Sequence, residues 1–315
     1  MTDVYVVTGG AGFIGSHIAE RLLRDGHQVR IIDNFATGKR ENLARLHSYG
    51  ERLRVYETSI TDRDALPAIF DGARYVFHQA ALPSVPRSID DPLTTHEFNV
   101  TGTLNVLIAA RDARVQRVVY AASSSAYGDI EGEFKREDMP PRPLSPYGVS
   151  KLAGEYYCQA FTEVYGLETV ALRYFNVFGP YQDETSHYAA VIPKFVAAMK
   201  AGHRPTIYGD GTQSRDFTYI DNVVHGNLLA VGAPGAAGQM MNLATGGRVN
   251  LLELVDKINH LLGTSLEPIL ADPRPGDIKH SRAAIDRARD LLDFSPVVDF
   301  DTGLARTVEW FLNRT

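Results

Sequence analysis

The sequence predicts an α/β protein built on a doubly wound parallel sheet, followed by a smaller C-terminal lobe. Three observations predict it. Short apolar, β-branched runs alternate with helical patterns through the first half of the chain. Those runs are not broken by polar alternation, which suits strands buried on both faces. The first run leads straight into a glycine-rich turn that opens a helix. In order, "DVYVVTG" (3–9) precedes a helix over 13–25, and "QVRIID" (28–33) follows. "LRVYETSI" (53–60) precedes a helical pattern over 62–71, and "RYVFHQAA" (74–81) precedes a long one over 92–113. "RVVYAASS" (117–124) leads to a helix beginning at Pro146, which Ser145 can cap and where a first-turn proline fits because its missing N–H would be unpaired anyway. "ETVALRYFNVFG" (168–179) continues the series. Beyond Gly179 the elements shorten and Gly and Pro increase; a clear helix there is 251–262, where Asn250 and Glu253 form a capping-box pattern. The organisation expected is a nucleotide-fold domain over 1–179 and a smaller lobe over 180–315, with room for later segments to rejoin the sheet.

Composition narrows the function classes. A chain of 315 residues with 44% hydrophobic and 22% charged residues is ordinary for a soluble protein. Net charge is −6 and no block of basic residues stands out, which disfavours nucleic acid as a partner. Cys158 is the single cysteine, so neither a disulfide framework nor a cysteine-based metal site is expected, and no metal is assigned. With no signal peptide pattern and no apolar run of bilayer length, the expectation is a cytoplasmic protein without membrane contact.

The first candidate site is the turn "VVTGGAGFIGS". Gly9, Gly12 and Gly15 stand between strand and helix, where glycines permit a tight turn and close approach of backbone to a pyrophosphate at the helix N-terminus. Asp33 ends the second strand, 18 residues after Gly15, where an acid hydrogen-bonds the adenosine ribose and repels a 2′-phosphate. A Rossmann dinucleotide site for NAD follows, although Lys39 and Arg40 come soon after and could meet the phosphate of NADP.

The second candidate site joins a helix start to a strand end. In "SPYGVSK", Tyr147 and Lys151 lie one helical turn apart on one face. With 15 tyrosines and 7 lysines in the chain, a single such spacing is unsurprising by itself and would suit a solvated helix face. Its context changes the reading. Ser123, Ser124 and Ser125 tip the preceding strand at the sheet's carboxyl edge, the edge that also carries the glycine turn and where such sheets bind ligands. A lysine ammonium and an oxidised nicotinamide beside Tyr147 would favour its phenolate. A serine hydroxyl could bridge the tyrosine and a sugar oxygen.

Together these residues resemble the extended short-chain dehydrogenase/reductase superfamily over essentially the whole chain, and within it the UDP-glucose/UDP-N-acetylglucosamine 4-epimerases. The motifs carrying the resemblance are "HQAALPSVPRSIDDP", "SPYGVSK", "LRYFNVFGPYQD", "YAAVIPKF", "GDGTQSRDFTYIDNV" and "RPGDIKHS". The resemblance implies that Tyr147 is the base and acid at the sugar 4-oxygen. Lys151 would hold the nicotinamide ribose, Ser123 would be the catalytic hydroxyl, and Ser124 would line the sugar. It implies further cofactor contacts at Phe13, Ile14, Asn34, Gly38, Ile60, Ala80, Ala81, Asn99 and Tyr174. Substrate contacts would come from Asn176, Ala190, Val191, Lys194, Tyr208, Arg215, Arg274, Asp277 and Ser281, with the arginine forks suited to a diphosphate. A homodimer through the helices starting at Pro92 and Pro146 is the implied assembly.

Two details narrow the implied reaction. Sugar dehydratases of the superfamily carry Thr-Asp-Glu at the strand end; Ser123-Ser124-Ser125 supplies no carboxylate, which disfavours 4,6-dehydration. Ser281 falls where a tyrosine restricts relatives to plain hexoses, so a small residue leaves room for an N-acetyl group. The expected activity is therefore reversible 4-epimerisation of a UDP-hexose through a 4-keto sugar, with N-acetylated sugars accepted and plain ones possible. The alternatives are another nucleotide-sugar enzyme of the superfamily (uronic acid epimerase, decarboxylase or reductase) or, outside catalysis, a nucleotide-sensing regulator. Two positions depart from the family pattern: Ser59 stands where an acid approaches the adenine, and Pro83 where many narrower-substrate relatives carry lysine near the nicotinamide.

Overall fold

Seven parallel strands form the centre of the computed structural model, which describes residues 2–130, 132–185, 189–273 and 278–314. They are β1 (Val4–Thr8), β2 (Gln28–Asp33), β3 (Leu53–Glu57), β4 (Tyr75–His78), β5 (Arg117–Ser123), β6 (Glu168–Tyr174) and β7 (Gln239–Leu243). Their spatial order is β7-β6-β5-β4-β1-β2-β3. The chain runs outward from β1 to β3, then returns to pair β4 on the other side of β1. That reversal opens a crevice at the carboxyl ends of β1 and β4, where ligands of doubly wound sheets bind.

Burial follows the sequence pattern. Every residue of β4 and β5 is buried, whereas β3, at the sheet edge, is half-exposed. Helix α1 (Phe13–Arg24) covers one face, and α2 (Gly102–Asp112) and α3 (Pro146–Tyr165) the other. Core side chains such as Phe77 and Val119 are fully buried, each contributing about 1.5–3 kcal/mol. On α3, Gly154 admits close contact with β5: a Cβ there would stand 2.2 Å from the Tyr120 hydroxyl.

Some elements differ from expectation. The run 168–179 is not one strand, because β6 ends at Tyr174 and Asn176 takes a positive φ of 32°. Val177–Phe178 then pairs with Thr218–Tyr219 outside the main sheet. The run 53–60 is a strand only as far as Glu57, and the pattern over 62–71 condenses to a helix at Leu66–Phe70. The long pattern from Pro92 is helical but contains a π-turn at Glu97–Thr101. The later segments Ile220–Gly232 and Gln239–Leu243 pack on and join the sheet. Leu251–Leu262 carries both hydrogen bonds of its capping box: Asn250 Oδ1 accepts from the Glu253 N–H at 2.9 Å, and the Glu253 carboxylate accepts from the Asn250 N–H at 3.0 Å. Among the described residues no helix is long and apolar enough to cross a membrane.

Candidate active site

At the carboxyl edge of the sheet lies a cavity of about 400 Å³ that runs from the glycine turn past Tyr147 to Ala190. Thirteen of the fifteen expected cofactor positions line it; Gly38 and Asn99 stand just behind the lining. The glycine turn fits the group expected there. A Cβ on Gly9 (φ 68°) would stand 2.7 Å from Ala80 N, and one on Gly15 would stand 2.2 Å from the Gly9 carbonyl oxygen. Gly12 gives α1 no side-chain cap, so first-turn N–H groups face the cavity as an anion cradle.

Asp33 lies beside this cradle, at the end of β2. Its carboxylate accepts from the backbone N–H of Ala11 (2.9 Å) and of Phe35 (2.8 Å). Two carboxylate oxygens have capacity beyond those two bonds, which suits a ribose diol. Burial raises the Asp33 carboxyl and the two N–H groups work against it. Gly38 lets the following loop close on this acid, since a Cβ there would be 2.7 Å from Asp33 Oδ1. The two cations that could have met a 2′-phosphate are both engaged. Lys39 Nζ bonds Asp183 at 2.5 Å, and Arg40 bonds Glu57 at 2.7 Å while its guanidinium lies over Phe35.

The floor of the cavity is held by buried polar side chains. Asn99, within the π-turn, accepts from the Leu82 N–H and donates to the Leu82 carbonyl and to Ser150 Oγ, so it fixes the loop after β4. Gln79 and Tyr174 hydrogen-bond each other across the sheet edge, and Tyr174 donates to Asn227. Ser59 lines the cavity with its hydroxyl already engaged, paired with Thr61 at 2.7 Å and accepting the Thr61 N–H. Ile60, Ala80, Ala81 and Pro83 complete this stretch of the wall.

Tyr147 and Lys151 enter the cavity from the first two turns of α3. Ser145 fixes that start, its hydroxyl accepting the Gly148 N–H at 3.1 Å. Lys151 is buried; its ammonium donates to the Ala121 carbonyl at 2.8 Å and lies over the Tyr120 ring. The expected pull of the lysine on the tyrosine is not what dominates here. Burial pushes the Tyr147 phenol up, and the group working against it is the Ser123 hydroxyl. Burial also lowers Lys151, to about 8, with Glu155 opposing the fall. Ser123 ends β5 and accepts the Ser125 N–H, and Ser124 opens the short turn that follows.

Some of the remaining expected substrate positions lie near a different acid. Asp216 is fully buried, and its carboxylate accepts from Thr245 N and Oγ1, Gly246 N and Ala283 N. Asn176 donates to the Asp216 carbonyl, and Arg215 and Ser281 are register partners in a small three-strand set. Ala190 caps the helix Val191–Lys200, whose first turn carries Val191 and Lys194. Tyr208 ends the strand Thr206–Tyr208 and is partly exposed. Of these, Ala190 alone lines the cavity; Ser123, Ser124, Asn176, Val191, Lys194, Tyr208, Arg215 and Ser281 stand off its lining. Arg274 and Asp277 lie outside the described residues.

Sequence reasoning missed Gln79, Asp216 and Asp183, the partner of Lys39. Gln79 was within reach of the carboxyl-edge rule, since it follows β4 directly. Asp183 was not, because 144 residues separate it from Lys39.

Residues 5–244 match the NAD dependent epimerase/dehydratase family. The UDP-glucose 4-epimerase of Mycolicibacterium smegmatis is 38% identical over 312 residues, covering 98% of this chain and 99% of that protein. The structure of UDP-N-acetylglucosamine 4-epimerase from Methanobrevibacter ruminantium M1, in complex with UDP-N-acetylmuramic acid, superposes with a TM-score of 0.94 at 42% identity over all of both chains. That of Thermus thermophilus UDP-glucose 4-epimerase in complex with NAD gives 0.89 at 35% identity, over 99% of this chain and 100% of the other. With the glycine cradle and Asp33 shaped for a dinucleotide, these likenesses mean that the chain belongs to the NAD dependent epimerase/dehydratase family, among its UDP-sugar 4-epimerases, and that its cofactor is NAD.

Proposed function

We propose that the protein interconverts UDP-N-acetylglucosamine and UDP-N-acetylgalactosamine, and also accepts UDP-glucose and UDP-galactose, by inverting C4 through a transient 4-keto sugar. The choice of sugar rests on Ser281, a small buried residue in register with Arg215, at the position where the family resemblance implies that a bulky side chain would exclude an N-acetyl group. Tyr147 is assigned the proton: its phenolic oxygen takes it from the sugar 4-OH and later returns it. Ser123 bridges that oxygen and the sugar. Lys151 orients the nicotinamide ribose from the back of the cavity. NAD, when bound, supplies hydride acceptance and return at C4. Asn176, Arg215, Arg274 and Asp277 are assigned to anchor the UDP so that the hexose can turn while its carrier stays fixed.

The purified protein, incubated separately with UDP-glucose, UDP-N-acetylglucosamine and UDP-glucuronate, should give the C4 epimers of the first two. Neither NADH accumulation nor CO2 release should accompany them. Turnover of UDP-glucuronate alone, or release of CO2, would assign the protein to uronic acid chemistry instead. We further infer a homodimer: Leu93, Val149, Tyr156 and Val164 are apolar and exposed on the helices from Pro92 and Pro146, and Leu93 is 83% accessible. Sedimentation at a monomer mass across micromolar concentrations would overturn it.

A further inference from the structure

Behind the Tyr147–Lys151 pair the same helix face continues to Glu155, so that tyrosine, lysine and glutamate succeed one another at four-residue steps along α3. Glu155 is buried, and its two carboxylate oxygens accept from Arg173 Nε at 2.9 Å and Nη2 at 2.7 Å. Arg173 on β6 is buried as well. It stands opposite Ala122 of β5, next to the Ala121 carbonyl that holds the Lys151 ammonium. The guanidinium is stacked over the Tyr127 ring at 4.4 Å, and Tyr127 in turn donates to Asn242.

Stability alone gives little reason for this pair. Burying two ions costs desolvation that their attraction roughly repays, and apolar replacements are often as stable. Its position supplies a reason. Several ionisable groups surround Lys151, and they differ in charge. On its own helix, Tyr147 and Cys158 are neutral, the thiol pushed far up by burial. From β5, Tyr120 is likewise raised and neutral; from β4, His78 is fully buried and held neutral between Thr8 and Thr103, burial and the Lys151 charge lowering it to about 3. From β6 comes the Arg173 cation. Among the described groups, Glu155 is the one that presents a negative charge to the lysine.

We propose that Glu155, clamped by Arg173, is a positioning residue for the reaction: the buried counter-charge that keeps the Lys151 ammonium protonated at the back of the site. Arg173 acts one step further out, keeping the Glu155 carboxylate ionised where burial would neutralise it. This rests on the proton-transfer roles assigned above to Tyr147 and Lys151.

The test follows Lys151 directly, in NAD-loaded protein carrying carbon-13 at the lysine Cε, with its signal assigned by its loss in Lys151→Arg. Glu155→Gln removes the charge, so the ammonium should lose its proton more readily and the titration midpoint should move down by about 1 pH unit or more. Glu155→Asp, which keeps the charge, should leave it near the native position. Where Glu155→Gln leaves Arg173 unpaired and unfolds, the double variant Glu155→Gln/Arg173→Gln removes both buried charges, and because Glu155 is the one of the two that acts on Lys151 directly, the midpoint should still move down, by less. A midpoint unmoved in a folded Gln variant overturns the proposal. The pH profile of turnover is read in parallel: its alkaline limb should fall with the midpoint. If the midpoint moves and the limb does not, Glu155 does set the charge on Lys151 and the catalytic reading of Lys151 is what fails.

Discussion

The two ends of the site are built differently. The cofactor end is made from a few contiguous stretches, and its contacts are largely backbone: the Gly9–Gly15 turn, the N–H groups on Asp33, and the loop pinned by Asn99. A Cβ added at Gly9 or Gly15 would meet backbone at 2.7 or 2.2 Å, so little can give at those two positions. The positions proposed for the sugar nucleotide come from separate segments, and Asp216 ties together the stretches at residues 176, 245–246 and 283 through its carbonyl and its buried carboxylate. A rigid cradle suits a cofactor that stays in place through a cycle of oxidation and reduction. Side chains on separate segments suit a sugar that, on the proposed mechanism, turns over while its carrier stays bound.

The largest expected effect lies where the two ends meet. Tyr147→Phe should lower kcat by about 10²–10⁴-fold, the usual worth of a positioned acid and base, while the protein still purifies with NAD. Near-native turnover by the variant would end the assignment of this residue. Gly15→Ala tests the rigid end alone. With a Cβ 2.2 Å from the Gly9 carbonyl the turn must shift, at a cost of about 1–3 kcal/mol, and bound NAD should be lost. Cofactor content by absorbance and the midpoint of chemical unfolding read both effects. Full NAD content in the Gly15→Ala variant would show the turn to be more pliant than the comparison requires.

Ser281→Tyr tests the adaptable end. It should cost about 10–200-fold in kcat/KM on UDP-N-acetylglucosamine, the range over which pocket shape discriminates, and spare UDP-glucose. Equal loss on both sugars would mean that the side chain disturbs its Arg215 neighbour rather than gating the sugar.

The same contrast explains what could be read from the sequence. Gly9, Gly12, Gly15 and Asp33 are separated by one turn and one helix, so local spacing carries the cofactor end almost complete. The Leu251–Leu262 helix was equally legible, since its capping box is a local pattern spanning four residues. Asp216 carries no such pattern: its function is to receive N–H groups from residues 245, 246 and 283, a tertiary relation without local periodicity. The end of β6 at Tyr174 was hidden for a similar reason, because "FNVFG" remains apolar through the positive-φ bend at Asn176. Glu155 carries no local signal either, since only its burial against Arg173 separates it from a solvated glutamate.

The smallest expected effect concerns a bridge across the cofactor cavity. Lys39, from the loop after β2, bonds Asp183 from the segment beyond β6, and both residues line the cofactor cavity. Both side chains are about 30% exposed, so the pair is worth about 0.2–1 kcal/mol. Tyr181 reinforces the same segment, with the Arg45 guanidinium 3.9 Å from its ring centre and Trp310 beside it. Asp183→Ala should therefore speed NAD release only a few-fold, within the range that such a pair allows. It should also release a cation close to Asp33, so NADP should bind more tightly than to the native protein while remaining the weaker ligand, because Asp33 still repels a 2′-phosphate. Both changes should shrink in 1 M salt, where screening shortens to about 3 Å. Release and NADP affinity that both match the native protein at low salt would show that the Lys39–Asp183 bridge crosses the cavity without holding its occupant, and that the rigid end owes its grip to backbone alone.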